Sequence, residues 1–128
     1  MVNTYDNTIL YNDYVLNEFI EKLKTYEDKY NVAMVYVSDH GESLGEKGLY
    51  LHGVPYILAP KEQTEIPLLA WISNQYAEAN NIDKTCVKNR AKTGIFTHDN
   101  IFHSLLGLYG VKTTAKDKVL DVFSSCTK

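Results

Sequence analysis

The chain has 128 residues and a mass of 14.6 kDa, the size of one domain. Apolar residues make up 45% and charged residues 23%, which excludes a disordered tail, a collagen-like repeat and a low-complexity linker. Lys plus Arg number 13 and Asp plus Glu 16, a net charge of -3 with no basic run, so phosphate-driven binding of nucleic acid is excluded as well.

In chain order, residues 4–30 read as one long amphipathic helix. Leu16, Phe19, Ile20 and Leu23 fall at i, i+3, i+4 and i+7 and form one apolar face. Asn3 or Thr4 is expected to cap its start, and Asn31 to take the left-handed position that ends it. Val32-Ala33-Met34-Val35-Tyr36-Val37 is the longest apolar run and far too short to span a membrane. It reads as a strand buried on both faces, as in a parallel sheet under helices. A helix feeding such a strand is an α/β pattern. Across residues 38–65, Gly41, Gly45, Gly48, Gly53, Pro55 and Pro60 break any period, and a loop of that length in a compact domain is commonly functional.

Residues 66–72 form a second apolar strand, entered through Pro67. Residues 74–96 are polar and read as a short helix and a turn. Thr97 caps a further helix, with Ile101, Phe102, Leu105, Leu106 and Tyr109 inward and Gly110 as its stop. Residues 119–123 read as a short edge strand. No repeat, linker or second domain is visible, and no signal peptide follows Met1. The ten tyrosines suit either an interface or the wet edge of a core.

The segment Ser38-Asp39-His40-Gly41-Glu42-Ser43-Leu44-Gly45 lies at the carboxyl end of the first strand, where open α/β sheets bind ligands. Strand side chains alternate, so Asp39 and His40 face one ligand only where the strand ends and the backbone turns. Gly41 permits that turn. An Asp oxygen and a His nitrogen form the mixed donor set that Zn²⁺ accepts. The competing reading is an Asp that caps a turn beside a surface His. His52 lies in the same loop, where it either returns to that site or stands in solvent. Glu42 either orients a ligand imidazole or is a solvated loop acid.

His98 and His103 are separated by about 500° of helix rotation, so they are not a metal pair and both read mainly as structural, with His98 the better placed of the two to approach a site. Cys86 and Cys126 fit no zinc-finger spacing; one disulfide and two buried thiols suit them equally. There is no P-loop, G-x-G-x-x-G or G-x-S-x-G. Ser43 has no base placed beside it.

Several runs together resemble the bacterial phosphoethanolamine transferases, which modify lipid A and include mobile polymyxin-resistance proteins. They belong to the alkaline phosphatase and sulfatase superfamily. The runs are Asn3-Thr4-Tyr5-Asp6-Asn7-Thr8-Ile9-Leu10-Tyr11, Tyr36 through Glu46 around Ser-Asp-His-Gly-Glu-Ser-Leu-Gly, and Gly48-Leu49-Tyr50-Leu51-His52-Gly53. The match continues through Ala59-Pro60-Lys61-Glu62-Gln63-Thr64 and Thr97-His98-Asp99-Asn100-Ile101-Phe102-His103, so it covers nearly the whole chain in order.

The resemblance implies an α/β fold, part of an alkaline-phosphatase/sulfatase-like sheet flanked by helices. Residues 1–128 would be the C-terminal portion of a catalytic domain. Asp39 and His40 would ligate a catalytic Zn²⁺. His52 would be an active-site His near the phosphoryl group or a second zinc, and Glu42 would support the ligands from behind. The family transfers phosphoethanolamine from phosphatidylethanolamine to lipid A or a related envelope acceptor. Its nucleophilic Thr, a further acidic ligand and its membrane helices precede the matching region, and no residue here corresponds to them. The 128 residues alone are therefore expected to be soluble and inactive.

The family works at the periplasmic face of the inner membrane, which shifts Cys86 and Cys126 toward a disulfide. Glu65 departs from the pattern, since relatives often have His there. Another phosphodiesterase or sulfatase of the superfamily remains the alternative enzyme, decided by the upstream nucleophile. A non-catalytic metal- or lipid-binding remnant is the alternative outside enzymes.

Overall fold

The computed structural model describes residues 2–128, which form two compact units, one running to Ser73 and the other from Asn74 to Lys128. The first unit opens with helix α1 (Val2–Lys24). Asn3 and Thr4 lie inside this helix rather than capping it. Beyond Lys24 the ladder tightens. The N–H groups of Thr25, Tyr26 and Glu27 donate to carbonyls three residues back, at 3.2, 3.0 and 3.2 Å. The Thr25 hydroxyl also takes the Lys22 carbonyl at 2.8 Å, the local competition that ends helices early. The left-handed stop expected at Asn31 is not used. Leu16, Ile20 and Leu23 are half-buried, whereas Phe19 of the same predicted face is 59% exposed. Asn12 ties the helix to the next strand by donating to the Tyr36 hydroxyl at 2.9 Å.

Strand β1 (Ala33–Val37) follows as expected, but its partner is antiparallel. The predicted parallel sheet is corrected here by the register of the pair, whose connection holds no helix long enough for the usual crossover. A parallel return needs a crossover of a dozen or more residues, usually a helix. The chain between β1 and β4 (Leu68–Ile72) contains two short strands, β2 (Ser43–Leu44) and β3 (Tyr50–Leu51), and one four-residue helix, α2 (Lys61–Thr64). Ala33 therefore stands opposite Ile72 and Val37 opposite Leu68. Burial on both faces is also only partial: β1 is half-buried throughout, and full burial is reached at Val32 and Ile72.

Residues 38–65 are thus a built segment. β2 and β3 pair with Ser43 opposite Leu51. Gly45, at φ 128°, makes the turn a side chain would resist. The Glu46 carboxylate accepts the Leu44 N–H at 2.7 Å, and main-chain donors, its own N–H first, hold its pKa below the ordinary range.

The second unit carries α3 (Asn74–Ala79), α4 (Lys84–Thr93) and α5 (Asp99–Leu108). Asp83 caps α4 by accepting the N–H groups of Thr85 and Cys86 at 2.9 and 3.1 Å. Cys86 is bonded to Cys126 as a disulfide. Tyr76, Ala77, Ile82, Phe123 and Cys126 are buried. Burial pushes the Tyr76 phenol pKa up, with Tyr109 and Asp121 adding to it, and the hydroxyl donates to the Leu108 carbonyl.

Helix α5 corrects the expected inward face. Phe102 is 55% and Tyr109 82% exposed, while Asn100 and Ser104 are buried. Asn100 donates to the Leu120 carbonyl at 2.8 Å and accepts the Thr97 N–H at 2.7 Å; Ser104 accepts the Val122 N–H at 3.0 Å. A Cβ at Gly107 would strike the Asp121 carboxylate, so the polar, small-residue face is the packed one. Thr97 is not the cap, which falls at His98. Gly110, at φ 64°, does stop the helix, with the Val111 N–H reaching the Leu106 carbonyl. The edge strand expected at 119–123 is replaced by turns. There Asp117 accepts the Val119 N–H at 2.8 Å, and Asp121, buried and paired with Lys116 at 2.7 Å, accepts that of Phe123 at 2.9 Å.

Candidate metal centre

The strand β1 ends where the Ser38 N–H reaches the Pro67 carbonyl at 3.3 Å. From there the backbone turns sharply. The Asp39 carboxylate accepts the His40 N–H at 3.0 Å, and the Ser38 hydroxyl donates to the His40 carbonyl at 2.8 Å. The turn brings His40 and Glu42 to one side. The β2–β3 pair then returns the chain, and His52 directly follows Leu51.

Three of the four predicted site residues converge. One donor atom from each of His40, Glu42 and His52 lies within 4.8 Å of the other two. The imidazoles of His40 and His52 stack with centroids 3.9 Å apart and planes at 31°. Asp39 stands at the rim, with its side chain 90% exposed and Oδ1 3.9 Å from Nε2 of His40. His98 and His103 belong to the second unit. There Nδ1 of His103 accepts the Asp117 N–H at 2.9 Å.

The proton positions follow from the acceptors. Nδ1 of His40 lies 3.0 Å from the Gly41 carbonyl oxygen, which can only accept, so Nδ1 carries the hydrogen and Nε2 keeps its lone pair. Nδ1 of His52 lies 3.1 Å from Glu42 Oε2, and the ionised carboxylate sets the same tautomer. Both rings therefore present a ligand-ready Nε2. The other Glu42 oxygen, Oε1, is buried and accepts no hydrogen bond among the described residues. A buried carboxylate oxygen without a donor is costly unless a cation or proton donor faces it. Two imidazoles, a carboxylate with an orphan oxygen and a second carboxylate at the rim form a mixed donor set of the kind that a metal ion such as Zn²⁺ accepts.

Gly41 has a role that turn chemistry did not reveal. Its N–H donates to the Gln63 carbonyl at 3.0 Å, and a Cβ there would run into the Glu62 carbonyl oxygen and lie 3.2 Å from the Gln63 Cα. The glycine is needed for close approach of two backbones. Gly41→Ala is expected to destabilise the protein by about 1–3 kcal/mol, the usual cost of overpacking. An unchanged urea midpoint would show that the loop shifts without strain.

Sequence reasoning missed Gln63, which is 7% exposed beneath the centre. The one signal for it was its place in the run Ala59 to Thr64. Glu65, the departure noted above, is exposed and closes α2 by donating its N–H to the Lys61 carbonyl at 2.7 Å.

The sulfatase family profile matches residues 1–111. The phosphoethanolamine transferase EptA of Salmonella typhimurium is 45% identical over 128 residues, 100% of this chain and 23% of that protein. The soluble domain of lipooligosaccharide phosphoethanolamine transferase A from Neisseria meningitidis matches with a TM-score of 0.95 at 41% identity, over 100% of this chain and 38% of that one. The C-terminal periplasmic domain of phosphoethanolamine transferase EptC from Campylobacter jejuni matches with a TM-score of 0.86 at 41% identity, over 100% of this chain and 39% of that one. The chain thus spans 23% of the length of the curated relative and under half of each solved domain.

Proposed function

Because the chain belongs to the sulfatase family, we propose that it is the carboxy-terminal part of the catalytic domain of a zinc-dependent phosphoethanolamine transferase. The observation that carries this reading is the meeting of His40, Glu42 and His52, with Nε2 of both imidazoles left free by the acceptors on Nδ1. Asp39 and His40 hold Zn²⁺. Glu42 keeps the proton of His52 on Nδ1, so that Nε2 faces the phosphoryl group being transferred and is the atom at which this chain can hold or pass a proton. When bound, zinc supplies positive charge to the phosphoryl oxygens and lowers the pKa of a hydroxyl. That fits a chain of net charge -3 with no basic run of its own.

Phosphatidylethanolamine is the donor, and lipid A or a related envelope molecule the acceptor. A preceding region supplies the nucleophilic Thr, a further acidic ligand and the membrane helices. Among the described residues no helix is long and apolar enough to cross a membrane. The periplasmic face of the inner membrane suits the disulfide, which needs an oxidising compartment. The exposed Phe19, Phe102 and Tyr109 are surfaces against which the rest of such a domain packs.

The test uses the full-length protein. Stripping metal with a chelator is expected to abolish transfer from phosphatidylethanolamine to lipid A, and Zn²⁺ to restore it where Mg²⁺ does not. Transfer that survives complete removal of zinc would sink the reading. Sulfate-ester hydrolysis without transfer would assign the chain to a sulfatase instead.

A further inference from the structure

We propose that Gln63 is a positioning residue of this centre, a buried clamp that holds Glu42 and His52 in register. The inference rests on the metal-centre reading above. Glu42 and His52 are ten residues apart and meet only if the chain on either side of them is held. Gln63 holds it at three points. Its Nε2 donates to the Ser43 hydroxyl oxygen at 2.8 Å and to the Leu51 carbonyl at 3.1 Å. Its own carbonyl accepts the Gly41 N–H at 3.0 Å. Ser43 is the neighbour of Glu42, Leu51 is the neighbour of His52, and Gly41 separates His40 from Glu42.

The chemistry of the partners makes this arrangement directional. The Leu51 carbonyl can only accept, so the amide nitrogen, not the amide oxygen, must face it. Ser43 and Leu51 are also direct partners across the β2–β3 pair, so one carboxamide reinforces the pairing that brings His52 back. That pairing is short, two residues on each side, and weak alone. It also contains Leu51 at φ 64°, a left-handed conformation that leucine disfavours and that a bond to its carbonyl helps retain. Ser43 is 1% and Gln63 7% exposed, so water does not replace the clamp. An apolar residue at 63 would leave the buried Ser43 hydroxyl and the Leu51 carbonyl without this donor.

The test is Gln63→Leu in the full-length protein, with zinc affinity measured by competition against a chromophoric chelator. Zinc affinity and kcat are each expected to fall about 10- to 100-fold, as for partners that orient metal-site groups, with KM for phosphatidylethanolamine unchanged. Ser43→Ala removes one of the two acceptors and is expected to cost about two- to tenfold in the same readouts. If Gln63→Leu does not fold, Ser43→Ala decides by the same measure. Wild-type zinc affinity and kcat overturn the proposal, and so does a lowered Tm without a change in either. If the wild-type protein holds no zinc, the metal reading fails by itself. The clamp is then judged by the ring-to-ring Overhauser contact between His40 and His52. Its loss in Gln63→Leu supports the clamp, and its persistence overturns it.

Discussion

Replacing Asp39 or His40 by alanine in the full-length protein is expected to lower transferase turnover by more than about a hundredfold, beyond the 10- to 100-fold typical of groups that only orient ligands. Three protein ligands are the usual minimum for catalytic zinc, so if Asp39 and His40 are both ligands, as proposed, losing either should empty the site as well as slow it. Glu42→Gln is expected to fall in the lower range. It leaves the His52 ring in place but exchanges the carboxylate that accepts from Nδ1 at 3.1 Å for a neutral amide. The ranking is checked by steady-state transfer assays paired with zinc content. Normal turnover in either the Asp39 or the His40 variant would remove that residue from the ligand set. The exposed position of Asp39 makes its variant the sharper test, because little folding energy depends on that side chain.

The second large effect concerns stability. Replacing Cys86 and Cys126 together by serine is expected to cost about 2–4 kcal/mol. The bridge closes a separation of 40 residues with Cα atoms 5.5 Å apart, an ordinary span for a disulfide. The upper figure follows from the entropy of closing a loop of that length. The lower allows for bonds that hold the same junction without it. The Asp83 N–H reaches the Cys126 carbonyl at 2.8 Å, the Lys128 N–H reaches the Asn81 carbonyl at 3.0 Å, and Ile82 pairs with Thr127. Urea denaturation of the oxidised protein and the serine variant measures the difference. Equal midpoints would mean that these backbone bonds alone secure the junction. Zinc affinity is expected to be unchanged, since both cysteines belong to the second unit and the centre to the first.

Much of the centre was legible because it is local. Asp39, His40, Gly41 and Glu42 are adjacent, and the end of an apolar strand is where such residues can converge. His52 was legible only as a loop histidine of two possible fates, because its return depends on the β2–β3 pairing and on Gln63. Helix α5 shows the opposite failure. Hydrophobic period gave the helix correctly and its inward face only in part: Ile101 and Leu106 are half-buried, while Phe102, Leu105 and Tyr109 are exposed. Period reports where apolar groups lie on a helix, not which face finds partners. Asn100, Ser104 and Gly107 face inward because residues 116–123 offer them carbonyls, N–H groups and a carboxylate at close range. Those same polar contacts are what displaced the expected edge strand.

By itself, then, the sequence determined the long first helix, the two longer strands, helix α5 and the chemistry-bearing loop. Helix period, a β-branched run and glycine placement act over a few residues, and local sterics suffice to read them. Tertiary structure alone decided the antiparallel pairing of β1 and β4, the disulfide, the stacked imidazoles and the buried Gln63 clamp. Each of these joins residues far apart along the chain. Whether they meet depends on loop closure and on the pairing of buried polar groups, neither of which any short window of sequence contains.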